Sequence, residues 1–382
     1  MTNSVVKFIR ELFKTDGFIP LHAPTFQGNE NSYVTETINS TFVSSVGEYV
    51  DEFERKLEQF THAEKAVATV NGTSALHTSL YLAGVSRGDM VITQALTFVA
   101  TCNVITLMGA EPIFVDVSPV SLGMCPQALD EYLLTSARLT ETGCVHLASG
   151  ERIKAVVPMH TFGHPVDLHA LQDVCNKWNL VLIEDAAESL GSFYQGKHTG
   201  TIGEFGALSF NGNKIITTGG GGAVLCKHKE AGVRAKHLTT QAKVPHPYEF
   251  YHDEAAFNYR MPNINAALGC AQLEQLSGFL ANKRSLAAHY QDYFDNTPFK
   301  FVKEPGYAKS NYWLNAVICP DIATRNELLK STNDEGVMTR PVWQLMHRLP
   351  MFADADRGEL SYSEYLEAHL VNLPSSPVAH FS

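Results

Sequence analysis

The sequence has few of the features that mark secreted, membrane or nucleic-acid-binding proteins. Its seven cysteines are scattered and odd in number, with no C-x-x-C pair, which indicates reduced thiols and neither a disulfide framework nor a zinc site. No apolar run reaches the roughly 18 residues of a membrane span, and the first residues lack a cationic, apolar leader. The net charge of −11 disfavours nucleic acid as a partner. We therefore expect a cytoplasmic protein without membrane or nucleic-acid partners.

The central part of the chain alternates short β-rich runs with helical stretches. The predicted strands are 65–70, 90–93, 112–117, 154–159, 180–185, 206–210 and 221–226. Because the runs are apolar without alternation and are joined by helices, they predict an α/β fold with a mostly parallel sheet between helices. The ligand site of such a sheet lies beyond the carboxyl ends of its strands.

The pattern changes after about residue 245. A connector rich in proline and aromatic residues, VPHPYEFYHD, precedes the stretch 264–294, whose helical periodicity suits one long helix or two joined helices. A shorter α/β segment follows. With 382 residues, the chain is long enough for two domains. We predict a large domain over 1–245, beginning with a helical arm, and a smaller C-terminal α/β domain over 246–382.

Three predicted strand ends carry residues suited to chemistry. After the first strand, NGTSAL places Gly72, Thr73 and Ser74 at a helix start, where free N–H groups and hydroxyls suit a phosphate. A helix cap without a ligand is the alternative. Asp185, next to Glu184, ends another strand and is a cap, a metal ligand or the partner of a buried cation. Since no second ligand cluster accompanies it, we expect no metal.

The third strand end is SFNGNK, which places the single amine of Lys214 before a run of glycines. A solvated surface charge is the ordinary role of such a lysine. A phosphate cradle, an acid and an amine at one edge of a sheet are together what pyridoxal phosphate (PLP) requires. The lysine bonds to the aldehyde, and the carboxylate keeps the ring nitrogen protonated.

The chain resembles the DegT/DnrJ/EryC1/StrS family of sugar aminotransferases, fold type I enzymes that use PLP. The matching pieces include NGTSALHTSLYLAG, EDAAESLGS, GALSFNGNKIITTGGGGAVL and NYRMPNINAALGCAQLE. The resemblance implies that Lys214 is the Schiff-base lysine and Asp185 the partner of the pyridine nitrogen. It further implies that Gly72, Thr73 and Ser209 bind the phosphate, that Phe98 and Glu188 lie on the two ring faces, and that Asn258 reaches the phosphate of a second subunit. A homodimer with shared active sites follows.

Two positions depart from the common family pattern. Gly220 replaces the glutamate of TTGEGG, and Glu188 stands where His or Gln is frequent. These two positions and the segments FNGNK and RPVWQLMHRLPMF together resemble one subgroup of the family. That subgroup aminates a UDP-linked 4-keto-6-deoxy-N-acetylhexosamine in the bacillosamine and legionaminic acid pathways. The resemblance implies that the amino group of L-glutamate passes to C4 of UDP-2-acetamido-2,6-dideoxy-hexos-4-ulose.

Contacts to the nucleotide sugar are less constrained by the sequence. The candidates are Ser45, His160, Arg260, Trp343 and His347. The guanidinium of Arg260 suits a diphosphate, and Trp343 either stacks on the base or fills a core. His160 and His347 either contact the substrate or have a structural role.

Four other activities are compatible with parts of the sequence. A 3-amino-sugar transaminase shares the scaffold, as does a sugar dehydratase, which carries His at the lysine position. A dinucleotide-dependent dehydrogenase needs a G-x-G-x-x-G turn after an early strand, and NGTSAL does not match that motif. The sequence does not exclude a regulatory protein that binds PLP without turnover.

Overall fold

The computed structural model describes residues 2–381. The α-helices within that range are α1 (Thr2–Phe13), α2 (Glu30–Ser40), α3 (Glu48–Thr61), α4 (Gly72–Leu82), α5 (Val99–Leu107), α6 (Pro126–Ser136), α7 (Leu168–Trp178), α8 (Lys229–Thr239), α9 (Asn263–Phe294), α10 (Ile322–Asp334) and α11 (Ser361–His369). The strands are β1 (Lys65–Thr69), β2 (Met90–Gln94), β3 (Glu111–Val115), β4 (Ala137–Thr140), β5 (Gly143–His146), β6 (Arg152–Val157), β7 (Val181–Asp185), β8 (Phe193–Tyr194), β9 (Lys197–His198), β10 (Phe205–Ser209), β11 (Gly222–Cys226), β12 (Lys243–Val244), β13 (Tyr251–His252), β14 (Lys300–Phe301), β15 (Ala308–Lys309), β16 (Asn315–Ile318), β17 (Arg340–Pro341) and β18 (Leu370–Leu373).

The central sheet confirms the predicted α/β fold. Its main path has the order β1-β11-β10-β7-β6-β2-β3, and these are the seven predicted strands with small shifts at their ends. On this path β11 runs antiparallel to both of its neighbours, while the other pairs are parallel. The hairpin of β4 and β5 extends the sheet from β6.

Burial on both faces explains why the strand sequences do not alternate. Val91 in β2 packs in a cluster with Leu80 and Ile105, whereas its neighbour Ile92 packs with Leu129 and Leu171 on the opposite side. Successive side chains of a strand point to opposite faces, so each residue of β2 enters one core or the other. All five residues of β2 are buried.

Beside the central sheet lies α9, which is a single helix of 32 residues. Its first half packs against α2 and α3. Its second half contributes Leu286 and Phe294 to a core that also contains Val5 and Ile9 of α1. Thus α1 shares a core with the C-terminal elements, including the sheet β14-β16-β18-β17. The domain boundary after residue 245 stays a prediction. Over residues 2–381, none of the helices combines the length and the apolar character needed to cross a bilayer.

Candidate active site

The three chemically distinctive strand ends meet at one edge of the central sheet. Strand β1 ends before Gly72, β7 ends at Asp185, and β10 ends at Ser209, shortly before Lys214. These strands run in the same direction, with β11 between β1 and β10. Their carboxyl ends therefore share the edge at which parallel α/β sheets bind ligands.

The start of α4 forms an anion-binding corner. Asn71 caps the helix, since its Oδ1 accepts a hydrogen bond from Ser74 N at 2.7 Å. The N–H groups of Gly72 and Thr73 precede the helical hydrogen bonds and have no acceptor within the helix. A Cβ on Gly72 would lie 2.8 Å from Ser209 Cβ, so only glycine lets the two segments approach this closely. The corner presents N–H groups, the Thr73 and Ser209 hydroxyls, and the positive end of a helix dipole.

Asp185 is a buried carboxylate with hydrogen bonds to both oxygens. Thr101 donates to Oδ2 at 2.6 Å, and Ala187 N donates to Oδ1 at 3.1 Å. Burial raises the pKa of Asp185, while these hydrogen bonds and the charge of Lys214 act in the opposite direction. Among the described residues, no cation lies within ion-pair distance of Asp185. A protonated ring nitrogen would supply that missing positive charge.

The side chain of Lys214 is largely buried at the same edge. Its Nζ lies 3.8 Å from Glu188 Oε1 and 4.0 Å from the centroid of the Trp313 ring. Trp313 is held in place because its Nε1 donates to Asn213 O at 2.7 Å. Burial lowers the pKa of Lys214, and the carboxylates of Glu188 and Asp185 oppose that shift. The result is an amine that gives up its proton more readily than a surface lysine.

Glu188 is buried beside this amine. Its Oε2 accepts a hydrogen bond from Phe162 N at 2.8 Å. Burial raises the pKa of Glu188 to about 7, although Lys214 and the Phe162 N–H lower it. Glu188 and Lys214 thus form a buried acid and base pair, and both have pKa values displaced toward neutrality.

An aromatic cluster adjoins Glu188 through Phe162, whose N–H donates to that carboxylate. Phe98, just before α5, leaves half of its side chain exposed. Its ring centroid is 6.3 Å from that of Trp343, which lies 5.3 Å from Phe162. An exposed ring at the carboxyl edge of a sheet is suited to stacking on a flat heterocycle.

His160 is turned away from the open side of this site. Its Nε2 pairs with Glu184 Oε2 at 2.9 Å, and its Nδ1 accepts a hydrogen bond from Val166 N at 3.2 Å. Although burial alone would raise it, the pKa of Glu184 is lowered by His160 and by the N–H groups of Gly200 and Gly203. Both ring nitrogens of His160 are used within the protein, so the geometry favours the structural role over contact with a sugar.

The other predicted substrate and partner-facing residues make contacts of their own. Asn258 is exposed, and its Oδ1 accepts a hydrogen bond from Arg260 Nε at 3.0 Å. Arg260 bridges to Thr69 at the end of β1. Ser45 lies in the loop before α3, and His347 Nε2 is 3.9 Å from Glu364. No contact within the described chain joins them to Lys214, and their roles stay predictions.

Two partners of these site residues come from distant segments and were not predicted from the sequence. Thr101 lies on α5 and Trp313 just before β16. Neither has a local signal, because a hydroxyl on a helix and an aromatic residue before a strand are ordinary core features. Their importance comes from the side chains that they contact, which only packing determines.

These groups fit PLP by their own chemistry. Gly72, Thr73 and Ser209 form a corner for its phosphate, Asp185 offers an unpaired buried anion for its ring nitrogen, and Lys214 offers an amine for its aldehyde. Phe98 provides a ring to stack on the pyridine.

Comparison with known proteins gives the same result. Residues 24–380 match the model of the DegT/DnrJ/EryC1/StrS aminotransferase family. The chain is 36% identical over 360 residues to GDP-perosamine synthase of Escherichia coli O157:H7, covering 94% of each chain. It is 28% identical over 336 residues to a pleiotropic regulatory protein of Geobacillus stearothermophilus, covering 87% of this chain and 85% of that protein.

A solved structure with the same architecture is that of the aminotransferase TlmJ from Streptoalloteichus hindustanus. It has a TM-score of 0.84 and 27% sequence identity, with 94% of each chain covered. Together with the family match and the buried lysine at the sheet edge, this likeness identifies the fold as that of PLP-dependent aminotransferases. The chain belongs to the DegT/DnrJ/EryC1/StrS aminotransferase family and is a PLP-dependent aminotransferase.

Proposed function

We propose that the protein transfers the amino group of L-glutamate to C4 of a nucleotide-linked 4-keto-6-deoxy sugar. The observation that carries the proposal is the position of Lys214 Nζ between Glu188 and the Trp313 ring, at the sheet edge where Asp185 ends β7. A buried amine beside a buried carboxyl can take and return a proton at neutral pH.

The protein side chains divide the work with the cofactor. PLP supplies the electron sink that stabilises charge at the reacting carbon. Lys214 would hold the cofactor through its amine and would move a proton at the reacting carbon. Asp185 keeps the ring nitrogen charged, Glu188 holds a proton next to Lys214, and Phe98 fixes the plane of the ring.

Two nucleotide sugars are the candidates for the amino acceptor. The motifs FNGNK and RPVWQLMHRLPMF favour UDP-2-acetamido-2,6-dideoxy-hexos-4-ulose. The relative from Escherichia coli O157:H7 is a GDP-perosamine synthase, which favours a GDP-linked sugar. We propose the UDP-linked acetamido sugar as the preferred substrate, with the GDP-linked sugar as its direct competitor in the test.

The test follows amino transfer from L-glutamate to each keto sugar separately. The purified protein is supplied with PLP, and formation of 2-oxoglutarate and the mass of the sugar product are measured. We expect ping-pong kinetics, a higher kcat/KM for the UDP-linked sugar, and no turnover by Lys214→Ala. A higher kcat/KM for the GDP-linked sugar would show that this sugar, and not the UDP-linked one, is the preferred substrate.

A regulatory role in addition to catalysis is the second candidate, because one relative is a pleiotropic regulatory protein. A protein limited to regulation would bind PLP but would release no 2-oxoglutarate with any keto sugar. Turnover of either sugar by the wild-type protein, lost in Lys214→Ala, would exclude a role limited to regulation.

A further inference from the structure

The segment between α1 and α2 carries a histidine, His22, whose ring has no hydrogen-bond partner in the part of the chain that the structure describes. Both ring nitrogens are buried, and neither finds a hydrogen-bond partner among residues 2–381. An unpaired buried polar group costs about 1 to 3 kcal/mol, so a native protein usually satisfies it with an ordered water or a ligand.

The fold holds His22 from both sides. Leu21 O accepts a hydrogen bond from Ser375 N at 2.7 Å, and Ala23 N donates to Ser376 Oγ at 2.8 Å. The backbone on each side of His22 is thus tied to the same C-terminal loop. These hydrogen bonds fix the position of the His22 backbone, and so they restrict where its ring can lie.

The same loop connects His22 to the amine of the active site. Ser375 O accepts a hydrogen bond from Lys283 Nζ, which also donates to Trp313 O at 3.1 Å. The Trp313 ring in turn covers Lys214 Nζ. The charges of Lys283 and Lys214 both lower the pKa of His22, so both amines act on the ring electrostatically.

This environment keeps the imidazole neutral. Burial lowers the pKa of His22 well below its usual value, and the two lysines lower it further. A neutral imidazole has one N–H donor and one lone pair. It therefore matches a group that both donates and accepts, such as a hydroxyl or a secondary amide. The carboxylates of L-glutamate only accept, and they are matched better by a cation.

We propose that His22 determines specificity for the amino acceptor by hydrogen bonding a hydroxyl or amide of its hexose ring. This inference rests on the proposed function, since it assigns His22 to the sugar and not to L-glutamate. It also explains why the ring has no partner within the protein.

A second unpaired histidine provides a matched control. His164 is buried, and neither of its ring nitrogens has a partner in the described chain. Its ring packs edge-on against Tyr312 with centroids 5.2 Å apart. Burial lowers the pKa of His164 to about 4, and the nearby charge is Glu304 and not an active-site lysine. Replacing His164 removes the same atoms without touching the proposed contact.

The experiment measures the two half-reactions of the PLP-loaded protein separately by absorbance. The variants are His22→Leu, His22→Gln and His164→Leu, with thermal unfolding as the check on folding. The probes are L-glutamate and whichever keto sugar the wild-type protein aminates; calorimetry with the amino sugar product gives binding without turnover.

We expect His22→Leu to raise the KM for the keto sugar about tenfold and to weaken product binding similarly, because one hydrogen bond is lost. The L-glutamate half-reaction should stay within about twofold. Glutamine keeps a donor and an acceptor, so His22→Gln should recover part of the affinity. His164→Leu should leave the KM for the sugar unchanged.

Three outcomes would overturn the inference. Equal losses in both half-reactions would make His22 a residue that positions Lys214. Altered melting with both half-reactions unchanged would make it a packing residue. If the wild-type protein completes the L-glutamate half-reaction but aminates neither keto sugar, the proposed function fails and this inference fails with it.

Discussion

At the residue scale, the displaced pKa of Glu188 predicts a pH dependence of stability. Burial raises that pKa from 4.5 to about 7, so between these values folded Glu188 holds a proton that the unfolded chain releases. The free energy of unfolding of the apoprotein should therefore fall as the pH rises through this window, by up to about 3 kcal/mol.

Glu188→Gln should remove that dependence, because glutamine does not titrate. Denaturant unfolding of both proteins at a series of pH values checks this. Parallel curves for the wild-type protein and the variant would show that Glu188 does not bind the extra proton.

Asp185 gives a second prediction at this scale. Asp185→Asn keeps the shape of the side chain but removes its charge, so the ring nitrogen loses the anion that holds its proton. We expect a loss of roughly 10²-fold or more in the L-glutamate half-reaction, with folding preserved. Thr101→Val removes one hydrogen bond to Asp185 but keeps the charge, and should lose less. A wild-type rate in Asp185→Asn would remove this carboxylate from the mechanism.

At the scale of elements, the close contact between α4 and β10 predicts the effect of one methyl group. Gly72→Ala would place a Cβ 2.8 Å from Ser209 Cβ, so one segment must shift. Overpacking of this kind costs about 1 to 3 kcal/mol, and we expect PLP to bind at least about tenfold more weakly, as measured by titration of the apoprotein.

The matched control is Gly278→Ala in α9, where a Cβ would meet no atom within 4 Å. That change should leave PLP binding unaltered and stabilise the helix by about 0.5 to 1 kcal/mol. If both alanine variants bind PLP like the wild-type protein, the corner at Gly72 is not a phosphate site.

The elements themselves were largely predictable from the sequence. The strands of the main sheet have unbroken apolar runs because helices cover both faces, and this pattern is local. Helix α9 was predicted as one helix or two, and it is one, since no proline or cap interrupts it. The short strands, such as β8 and β15, were not predicted, because two residues carry no periodic signal and depend on the partner strand.

At the scale of the whole molecule, the expected homodimer with shared sites predicts complementation. Asn258 is exposed and has no contact with Lys214 in its own chain. If it reaches the partner's phosphate, Lys214→Ala and Asn258→Ala should each be defective alone. Co-expressed in equal amounts, they should recover about a quarter of wild-type activity, since half of the dimers are mixed and each has one intact site.

Activity of the mixture is compared with that of each variant alone, and light scattering gives the molecular mass. A mixture no more active than the average of the two variants would place Asn258 outside the partner's site.

By itself the sequence determined the order of strands and helices, and it predicts the chemistry of Gly72, Asp185 and Lys214. Hydrophobic periodicity and glycine-rich turns are local signals that span a few residues. The carboxyl ends of parallel strands meet at one edge of the sheet for any conformation of the loops. The tertiary structure alone decided that Trp313 covers the amine, that His160 is paired with Glu184, and that the His22 ring has no hydrogen-bond partner among residues 2–381. These contacts join segments far apart in the chain, so they depend on how the elements pack and not on any local pattern.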